Sequence, residues 1–239
     1  MLHVVALAAC LCSDSSLVYR GNAGQLQVAL PRVESAAIKV DGRLEEPAWQ
    51  EAALLTGFTQ YEPHEGIPAG QETEVRVFYA SDAIYFGITA HDTEPHRIRA
   101  TLVDRDRPAS TDDWVRLLID TFDDRRQAYA FYVNPYGIQS DGIWVDGRGT
   151  GTTGNVDFNP DFIWQSDARL NGAGWTAEVR IPYVSLRFPD AAVHTWGFNV
   201  GRGTQRDGGK MSWAPWTTNN ASFLGQSGKL VGLQGLRPQ

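Results

Sequence analysis

The segment from Ile119 to Gly142, "IDTFDDRRQAYAFYVNPYGIQSDG", decides the fold of this chain. Apolar and polar residues alternate on both sides of an acidic turn at Asp123 and Asp124, and a second turn begins at Asn134. Successive side chains of a β-strand point to opposite faces, so this alternation is typical of strands that bury one face. The segment therefore predicts consecutive antiparallel strands joined by short turns.

The same period-two alternation recurs along most of the chain, with turn residues between the runs. The predicted strands span residues 71–80, 83–91, 113–120, 127–133, 137–145, 161–170, 174–182 and 196–203. We therefore predict an all-β fold, an antiparallel and jelly-roll-like β-sandwich. One short N-terminal helix is predicted at 45–53, "EEPAWQEAA", where Pro47 suits a first helical turn.

Composition limits the function. A net charge of -7 leaves no basic face that could displace counterions from phosphates, which argues against a nucleic-acid partner. Eight Trp and 24 Gly fit a β protein that presents aromatic surfaces. The two cysteines, Cys10 and Cys12, both lie near the N-terminus, which excludes a disulfide framework inside the domain and a zinc site held by cysteines.

The first residues resemble an export signal. The start "MLHVVALAACLCSDSS" is apolar for about ten residues, and we predict a leader within residues 1–24. Within it, "LAAC" (7–10) resembles a lipoprotein cleavage box, in which the Cys would be lipidated. We expect a location in the periplasm, at the outer membrane or at the cell surface.

The acidic residues fit more than one chemistry. A glycosidase needs two opposed carboxyl groups, for which the candidates are Asp112, Asp113, Asp120, Asp123 and Asp124. Because these acids stand in a hairpin turn or just before a strand, local bonding to the backbone is favoured, and we predict a protein that is not an enzyme. Calcium takes six or more oxygen ligands and is the stronger alternative. The candidate calcium ligands are Asp41, Glu45, Asp112, Asp113 and Asp141.

Seven of the eight Trp residues fall into two groups. Five are predicted in the core: Trp49, Trp114, Trp164, Trp175 and Trp196. Trp213 and Trp216, in "SWAPWTTNN", have Pro and Asn neighbours that predict a strand end or a loop. An exposed ring beside Asn amides and Arg202 is typical of sugar binding, because the apolar face of a sugar stacks on the ring while the polar groups bond its hydroxyls. A packed sheet edge is the equal alternative.

Five motifs occur in order: "IKVDGRLEEPAWQEA" (38–52), "DDWVRLLID" (112–120), "FYVNPYG" (131–137), "GWTAEVRIPYVSLRF" (174–188) and "WGFNVGRGTQ" (196–205). Together they resemble the carbohydrate-binding module family 9 domain of bacterial xylanases, over residues 37–233. The opening segment and "SLRF" resemble a branch in which this module precedes an outer-membrane β-barrel. Residues 234–239 would then be the junction to such a barrel.

The resemblance implies a β-sandwich that binds oligo- or polysaccharides of the xylan or glucan type without cleaving them, often with bound calcium. It also implies two Trp rings that clamp the terminal sugar, assisted by acidic, Arg and Asn side chains. This chain has Ser110 at the first ring position, Tyr132 at the Arg position, and Ala221 and Ser222 where the second ring should stand. The candidate sugar-binding residues are Ser110, Asp112, Asp113, Tyr132, Asn134, Arg202, Trp213, Trp216, Asn219 and Asn220.

Two other functions stay open at this point. The missing clamp rings favour a periplasmic plug or scaffold domain that serves a barrel partner and has lost sugar binding. A haem-binding sandwich would need a Met ligand with His or Lys, and Met211 is the only methionine inside the domain.

Overall fold

The computed structural model describes residues 17–34, 36–106, 111–147 and 156–236. Most of the predicted leader, both cysteines, Ser110 and the end of the predicted tail lie outside the described residues. Within those ranges the chain consists of β-strands, short 3-10 helices and connecting segments. The 3-10 helices are Gly21–Ala23, Pro47–Gln50, Pro95–Arg97, Tyr183–Ser185 and Leu224–Gln226. None of these helices has the length and apolar content needed to span a bilayer.

The described residues form sixteen strands. In chain order they are β1 (Val18–Arg20), β2 (Gln27–Ala29), β3 (Ala53–Thr56), β4 (Thr59–Glu62), β5 (Ile67–Pro68), β6 (Thr73–Tyr79), β7 (Ala83–His91) and β8 (Trp114–Asp120). They continue with β9 (Gln127–Val133), β10 (Gln139–Val145), β11 (Val156–Asp157), β12 (Gln165–Asn171), β13 (Gly174–Pro182), β14 (Val193–Thr204), β15 (Gly209–Ser212) and β16 (Gly228–Gln234). Every strand that the alternation predicted is present.

The strands form two sheets. The first has the order β1-β3-β6-β7-β13-β12, and the second has the order β11-β10-β9-β8-β14-β15-β4-β5. Strand β16 also pairs with β14 and carries β2 at its other edge. The all-β prediction is confirmed, and most neighbouring strands are antiparallel. The exceptions are β1 with β3 and β2 with β16, where short N-terminal strands join the sheets in parallel.

One hydrophobic core lies between the two sheets. On β8, Val115, Leu117 and Ile119 face this core and are at most 1% exposed. Phe86 of the first sheet stacks on Phe198 of the second, with ring centroids 5.5 Å apart. Burying one such side chain contributes about 1.5–3 kcal/mol, so the alternation along these strands is what holds the sheets together.

Connecting segments cover the outer faces of both sheets. Residues 33–34 and 36–52 lie over the first sheet, where Trp49 packs edge-on against Phe78 at 5.1 Å. Residues 216–227 lie over part of the second sheet, where Trp216 packs against Phe223 at 4.9 Å. The rest of that second outer face, on β8, β9 and β10, stays open as a cleft.

The helix predicted at 45–53 is replaced by a single 3-10 turn at Pro47–Gln50. Ala53 is fully buried and pairs with Val77 as part of β3. The end of the predicted helix is therefore part of a β-strand instead. An isolated helix of that length is also only marginally stable in water. The turn that remains is held by tertiary contacts of Trp49.

A buried carboxylate joins the covering segment to the first sheet. Glu178 of β13 is 0% exposed and accepts hydrogen bonds from the backbone N of Asp41 at 2.8 Å, the backbone N of Gly42 at 2.9 Å and Nε1 of Trp49 at 3.1 Å. Burial raises the pKa of Glu178 from 4.5 to about 7, although these donors oppose the change. Between these pH values the folded state holds a proton that the unfolded state has released. The contribution of Glu178 to the free energy of unfolding therefore falls as the pH rises from 4.5 to about 7.

We expect the Glu178→Gln variant to lose this part of the pH dependence, because an amide does not titrate. At 1.36 kcal/mol per pKa unit, the free energy of unfolding of the variant should fall by up to about 3 kcal/mol less than that of the wild type over this range. Urea unfolding at about pH 4.5 and about pH 7.5 measures the difference. The exposed Glu51→Gln change is the matched control and should behave like the wild type. An unchanged pH dependence in Glu178→Gln contradicts the prediction.

Candidate functional site

A cleft of about 390 Å³ opens on the outer face of the second sheet. Its floor follows from strand register, because Arg116 of β8 pairs with Tyr132 of β9, and Tyr132 pairs with Ser140 of β10. Paired residues of neighbouring strands place their side chains on the same face. These three side chains therefore form one row across three strands.

Aromatic and polar side chains form the walls of the cleft. Trp114 stands edge-on to Tyr132 with ring centroids 5.9 Å apart, and Phe158 lies 5.9 Å from Tyr132 on another side. Phe158 is 37% exposed, so its ring is available to a ligand. The other lining residues are Val103, Asp112, Asp113, Val133, Asn134, Ile138, Gln139, Gln205 and Lys210.

The indole of Trp114 can lie against strand β14 because residue 203 of that strand is Gly. A Cβ atom at Gly203 would come within 2.3 Å of the Trp114 ring. A Gly inside a strand often marks a close approach of this kind. The Gly203 backbone thus lets the indole lie over β14, at the edge of the cleft.

Arg116 lies beneath the cleft among aromatic rings and is 1% exposed. Its Cζ atom is 4.8 Å from the ring centroids of both Trp144 and Trp216, 5.4 Å from that of Trp114 and 5.9 Å from that of Tyr132. A guanidinium within about 6 Å of an aromatic face is attracted by the ring quadrupole. The cation is therefore fixed under the floor by the rings around it.

Ser140 gives the cleft an unsatisfied polar group. Its side chain is 3% exposed, and its Oγ has no hydrogen-bond partner among the described residues. A buried hydroxyl without a partner costs about 1–3 kcal/mol. This hydroxyl therefore lies under the floor of the cleft as a hydrogen-bonding group without a partner among the described residues.

The polar atoms of Asp112 and Asn134 are used within the protein. Asp112 accepts hydrogen bonds from Thr101 N at 2.9 Å, Thr101 Oγ1 at 2.7 Å and Asn134 Nδ2 at 2.8 Å. Asn134 Oδ1 accepts from the backbone N of Tyr136 and Ile138, both at 3.0 Å. These two residues therefore shape the end of the cleft by fixing the turn after β9.

Asp113 also lines the cleft and is 1% exposed. Burial raises the pKa of Asp113 from 3.8 to about 6, while the backbone N–H of Gln205 and the charge of Arg202 act in the opposite direction. Gln205 N donates to Asp113 Oδ1 at 2.8 Å. This bond holds the segment after β14 against the cleft.

The structure brings together only some of the residues predicted to bind sugar. Asp112, Asp113, Tyr132 and Asn134 line the cleft. Asn219 and Asn220 are exposed in the loop after Trp216 and are not among the lining residues. Ser110 lies outside the described residues.

Arg202 points away from the cleft, so its predicted contact with a ligand there is wrong. It pairs with Val115, and strand periodicity therefore directs it between the sheets, whereas Arg116 points outward. Arg202 is 0% exposed, donates to Glu72 O at 3.0 Å and lies 3.6 Å from Asp92. It is a charged residue of the sandwich interior.

Trp213 and Trp216 follow the end of β15, as their Pro and Asn neighbours predicted, and of the two alternatives the structure has the packed arrangement rather than the exposed sugar platform. Trp213 is 0% exposed, belongs to the main core, and donates from Nε1 to Tyr19 O at 3.1 Å. Trp216 is 1% exposed and packs between Tyr61, at 5.5 Å, and Phe223. The covering segment folds back onto the outer face of the sheet and buries Trp216, whereas Trp213 is buried in the core between the sheets.

Met211 is buried as well. It lies in β15, is 1% exposed and is part of the main core. Its sulfur is not presented to the cleft, which does not favour the haem-binding alternative.

The acids of the opening segment serve the turn between β8 and β9. Asp120 accepts hydrogen bonds from the backbone N of Phe122 at 3.2 Å and of Arg125 at 2.8 Å, and Asp124 accepts one from Arg126 N at 2.9 Å. Local bonding of this kind is typical of Asp in turns. The turn interpretation of these residues is confirmed.

The five candidate calcium ligands do not come together as one set. Among the described residues, one group of three acidic side chains has ligand atoms within 4.8 Å of one another: Asp106, Asp141 and Asp161. Of the candidates only Asp141 belongs to it. Asp41 pairs instead with Lys39 at 3.2 Å, and Glu45 lies 3.7 Å from Arg43.

Arg105 already supplies positive charge to this group. Its Nη2 lies 2.8 Å from Asp141 Oδ1 and 2.7 Å from Asp161 Oδ1, and its Nε lies 3.3 Å from Asp106 Oδ2. A calcium ion needs several of these same oxygens and would have to displace the guanidinium. As they are arranged, these residues do not fit the ion.

Several cleft residues were missed by sequence reasoning. Trp114 was predicted in the core but is only half-buried, and Arg116, Ser140 and Phe158 were not singled out. The sequence did indicate Trp114 and Arg116, because they flank Val115 in the strand. If Val115 faces the core, its two neighbours must face outward. A charged residue in the middle of an apolar strand indicates an outward-facing site. Ser140 and Phe158 carry no comparable signal.

Comparison with known proteins shows the fold. The chain matches no protein-family model, and no curated protein matches it. A carbohydrate binding module family 9 domain from Caldicellulosiruptor kristjanssonii, solved in complex with cellotriose, superimposes with a TM-score of 0.59 at 14% identity, over 87% of this chain and 94% of the other. The same organism's family 9 module in complex with glucose gives 0.58 at 13% identity, over 87% and 95%. A candidate carbohydrate-binding protein from Bacteroides uniformis gives 0.61 at 13% identity, over 86% and 98%.

Replacing Trp213 or Trp114 should lower the stability of the protein by different amounts. We expect Trp213→Ala to lower the free energy of unfolding by about 3–5 kcal/mol, because the variant leaves a large cavity in the core. Trp114→Ala should cost roughly half as much or less, because Trp114 is only partly buried. Urea unfolding of both variants measures the difference. A loss in Trp213→Ala no larger than that in Trp114→Ala contradicts the placement of Trp213 in the core.

Proposed function

We propose that the chain is a non-catalytic carbohydrate-binding domain and that the open cleft on β8, β9 and β10 is its binding site. The observation that carries the proposal is the composition of this cleft. It combines accessible aromatic faces at Phe158 and Tyr132, a buried cation at Arg116 and the unpartnered hydroxyl of Ser140. Sugars match this set because each ring has an apolar face for stacking and hydroxyls for hydrogen bonds.

The fold comparisons support a glucose-type ligand. Two structures with the same fold were solved with glucose and with cellotriose, and the cleft volume of about 390 Å³ is in the range of small-molecule sites. We therefore propose the end of a glucan chain as the ligand class, with xylan as the second polymer to test.

Arg116 takes the role that the family resemblance assigns to position 132. An Arg is implied there and this chain has Tyr132, but Arg116 is its cross-strand partner. The guanidinium therefore comes from β8 rather than β9 and reaches the same face of the sheet. The two clamp rings would likewise be replaced, by Trp114 and Phe158 on the walls of the cleft.

The cleft carboxyl groups favour binding over hydrolysis. Asp112 and Asp113 are consecutive residues, and both accept hydrogen bonds from the protein itself. A glycosidase needs its two carboxyl groups on opposite sides of the scissile bond. Two neighbouring acids engaged in holding loops do not meet that requirement.

An extracytoplasmic location goes with this proposal. It rests on the apolar start of the sequence, "MLHVVALAACLC", which suits a leader segment. Cellulose-type glucans and xylan are extracellular polymers, so an exported domain would meet such a ligand there.

Binding should depend on the ring of Phe158. We expect the purified protein to bind cellotriose at a single saturable site in isothermal titration calorimetry. Phe158→Ala should weaken binding about fivefold, since loss of one stacking contact costs on the order of 1 kcal/mol. Phe122→Ala is the matched control, because Phe122 is 56% exposed and is not a cleft residue. No saturable heat with glucose, cellotriose or xylotriose contradicts the proposed function.

Ser140 separates binding from stability. Ser140→Ala removes a buried hydroxyl that has no partner among the described residues, so the free energy of unfolding should stay equal or rise by up to about 1 kcal/mol. Affinity for cellotriose should fall about three- to tenfold, because the ligand loses a hydrogen-bonding group. Calorimetric titration and urea unfolding of the same variant measure the two effects. Full affinity in Ser140→Ala excludes a contact between this hydroxyl and the ligand.

A further inference from the structure

Three separate parts of the chain meet at the buried carboxylate of Asp141 in β10. Asp141 is 0% exposed, and its Oδ1 accepts hydrogen bonds from Trp164 Nε1 and Arg105 Nη2, both at 2.8 Å. Its Oδ2 accepts one from Phe162 N at 2.8 Å, and its own backbone N donates to Asp106 Oδ1 at 3.3 Å. The segments around residues 105 and 162 are thereby fixed to the sheet.

Arg105 connects all of these groups. Besides its bonds to Asp141 and Asp161, its Nη2 donates to the carbonyl oxygen of Phe162, and its Nε faces Asp106. The guanidinium therefore contacts three carboxylates and one backbone carbonyl. Hard oxygens of these two kinds, converging on one positive charge, are the ligand chemistry of a calcium ion.

We propose that the guanidinium of Arg105 stands in the place of a structural cation, so that the chain supplies this cation itself and needs no calcium there. Three carboxylates within 4.8 Å of one another repel each other unless a positive charge lies between them. An Arg head can bond several oxygens at once through its planar set of donors. Unlike a bound ion, it remains in place at any calcium concentration.

Arg105 also affects the cleft, because the segments that it holds form two of the cleft walls. Val103, two residues before Arg105, lines the cleft, and so does Phe158, which belongs to the segment that Asp161 and Phe162 continue. Backbone N of Asp106 also donates to Gln139 O at 3.0 Å, beside the floor residue Ser140. Arg105 is thus a positioning residue that holds two walls of the cleft against its floor.

Thermal unfolding of the full chain tests the proposal without any sugar. We expect the melting temperature of the wild type to shift by less than about 1 °C between 5 mM EDTA and 5 mM calcium chloride. Arg105→Ala in EDTA should melt roughly 5–10 °C lower, because a buried carboxylate loses its compensating charge. In calcium chloride the same variant should recover at least about 2 °C, because the freed oxygens can then bind the ion. Magnesium chloride should not restore it, since magnesium tolerates such an irregular set poorly.

Arg97→Ala is the matched control. Arg97 pairs with Glu94 at 3.0 Å and is 49% exposed, against 38% for Arg105, but it contacts no cluster of carboxylates. It should lose little stability and show no response to calcium. Arg105→Lys keeps the charge without the planar set of donors, so its loss should be intermediate and it should respond less to calcium than Arg105→Ala.

Two results would overturn the proposal. One is a wild-type melting temperature that rises by several degrees with calcium, since the chain would then bind the ion despite Arg105. The other is an Arg105→Ala variant that melts like the wild type or gains nothing from calcium. Neither result depends on whether the protein binds cellotriose, so a failure here is distinct from a failure of the proposed function.

Discussion

The two-residue period of strand β8 is the constraint on which the rest of the structure depends. Val115, Leu117 and Ile119 face the opposite sheet and close the core, so Trp114 and Arg116 must face outward. A slip of one residue would expose three aliphatic side chains and place an Arg between the sheets. The free energy of burying the aliphatic side chains therefore fixes the outward face as well, and with it the floor of the cleft.

The same constraint explains how one strand pair holds two buried arginines with different roles. Arg116 and Arg202 lie on neighbouring strands but on opposite faces of the sheet. Arg202 is compensated by Asp92 and by the carbonyl of Glu72 inside the sandwich, while Arg116 is surrounded by aromatic rings on the outer face. Burying a cation is costly unless it is compensated, so both environments must be complete for the sheet to form.

Much of the fold follows from the sequence, because strand alternation is a local property. The eight strands read from the pattern are all present, and the turn after Asp120 was predicted from its Asp residues. The site was harder to predict because it depends on which segments cover the sheet. For Trp213 and Trp216 the sequence left an exposed platform and a packed edge equally open, and the structure has both packed: Trp213 lies in the main core, and residues 216–227 fold back over Trp216. No local sequence pattern encodes that packing. The same holds for the end of the predicted helix, which instead forms β3 and pairs with β6.

The sandwich tolerates a different set of residues at the cleft because core and cleft obey different requirements. The core requires apolar side chains at alternate positions, which very different sequences satisfy, and similar folds are indeed found at 13–14% identity. The cleft requires a few side chains to converge on one point, and several strands can supply them. In the proposed site, Arg116 on β8 would supply the guanidinium that the family resemblance implies at residue 132, because cross-strand partners present their side chains on the same face. Comparing two sequences position by position would miss a site of this kind. Comparing the side chains that paired strands present on one face of the sheet would detect it.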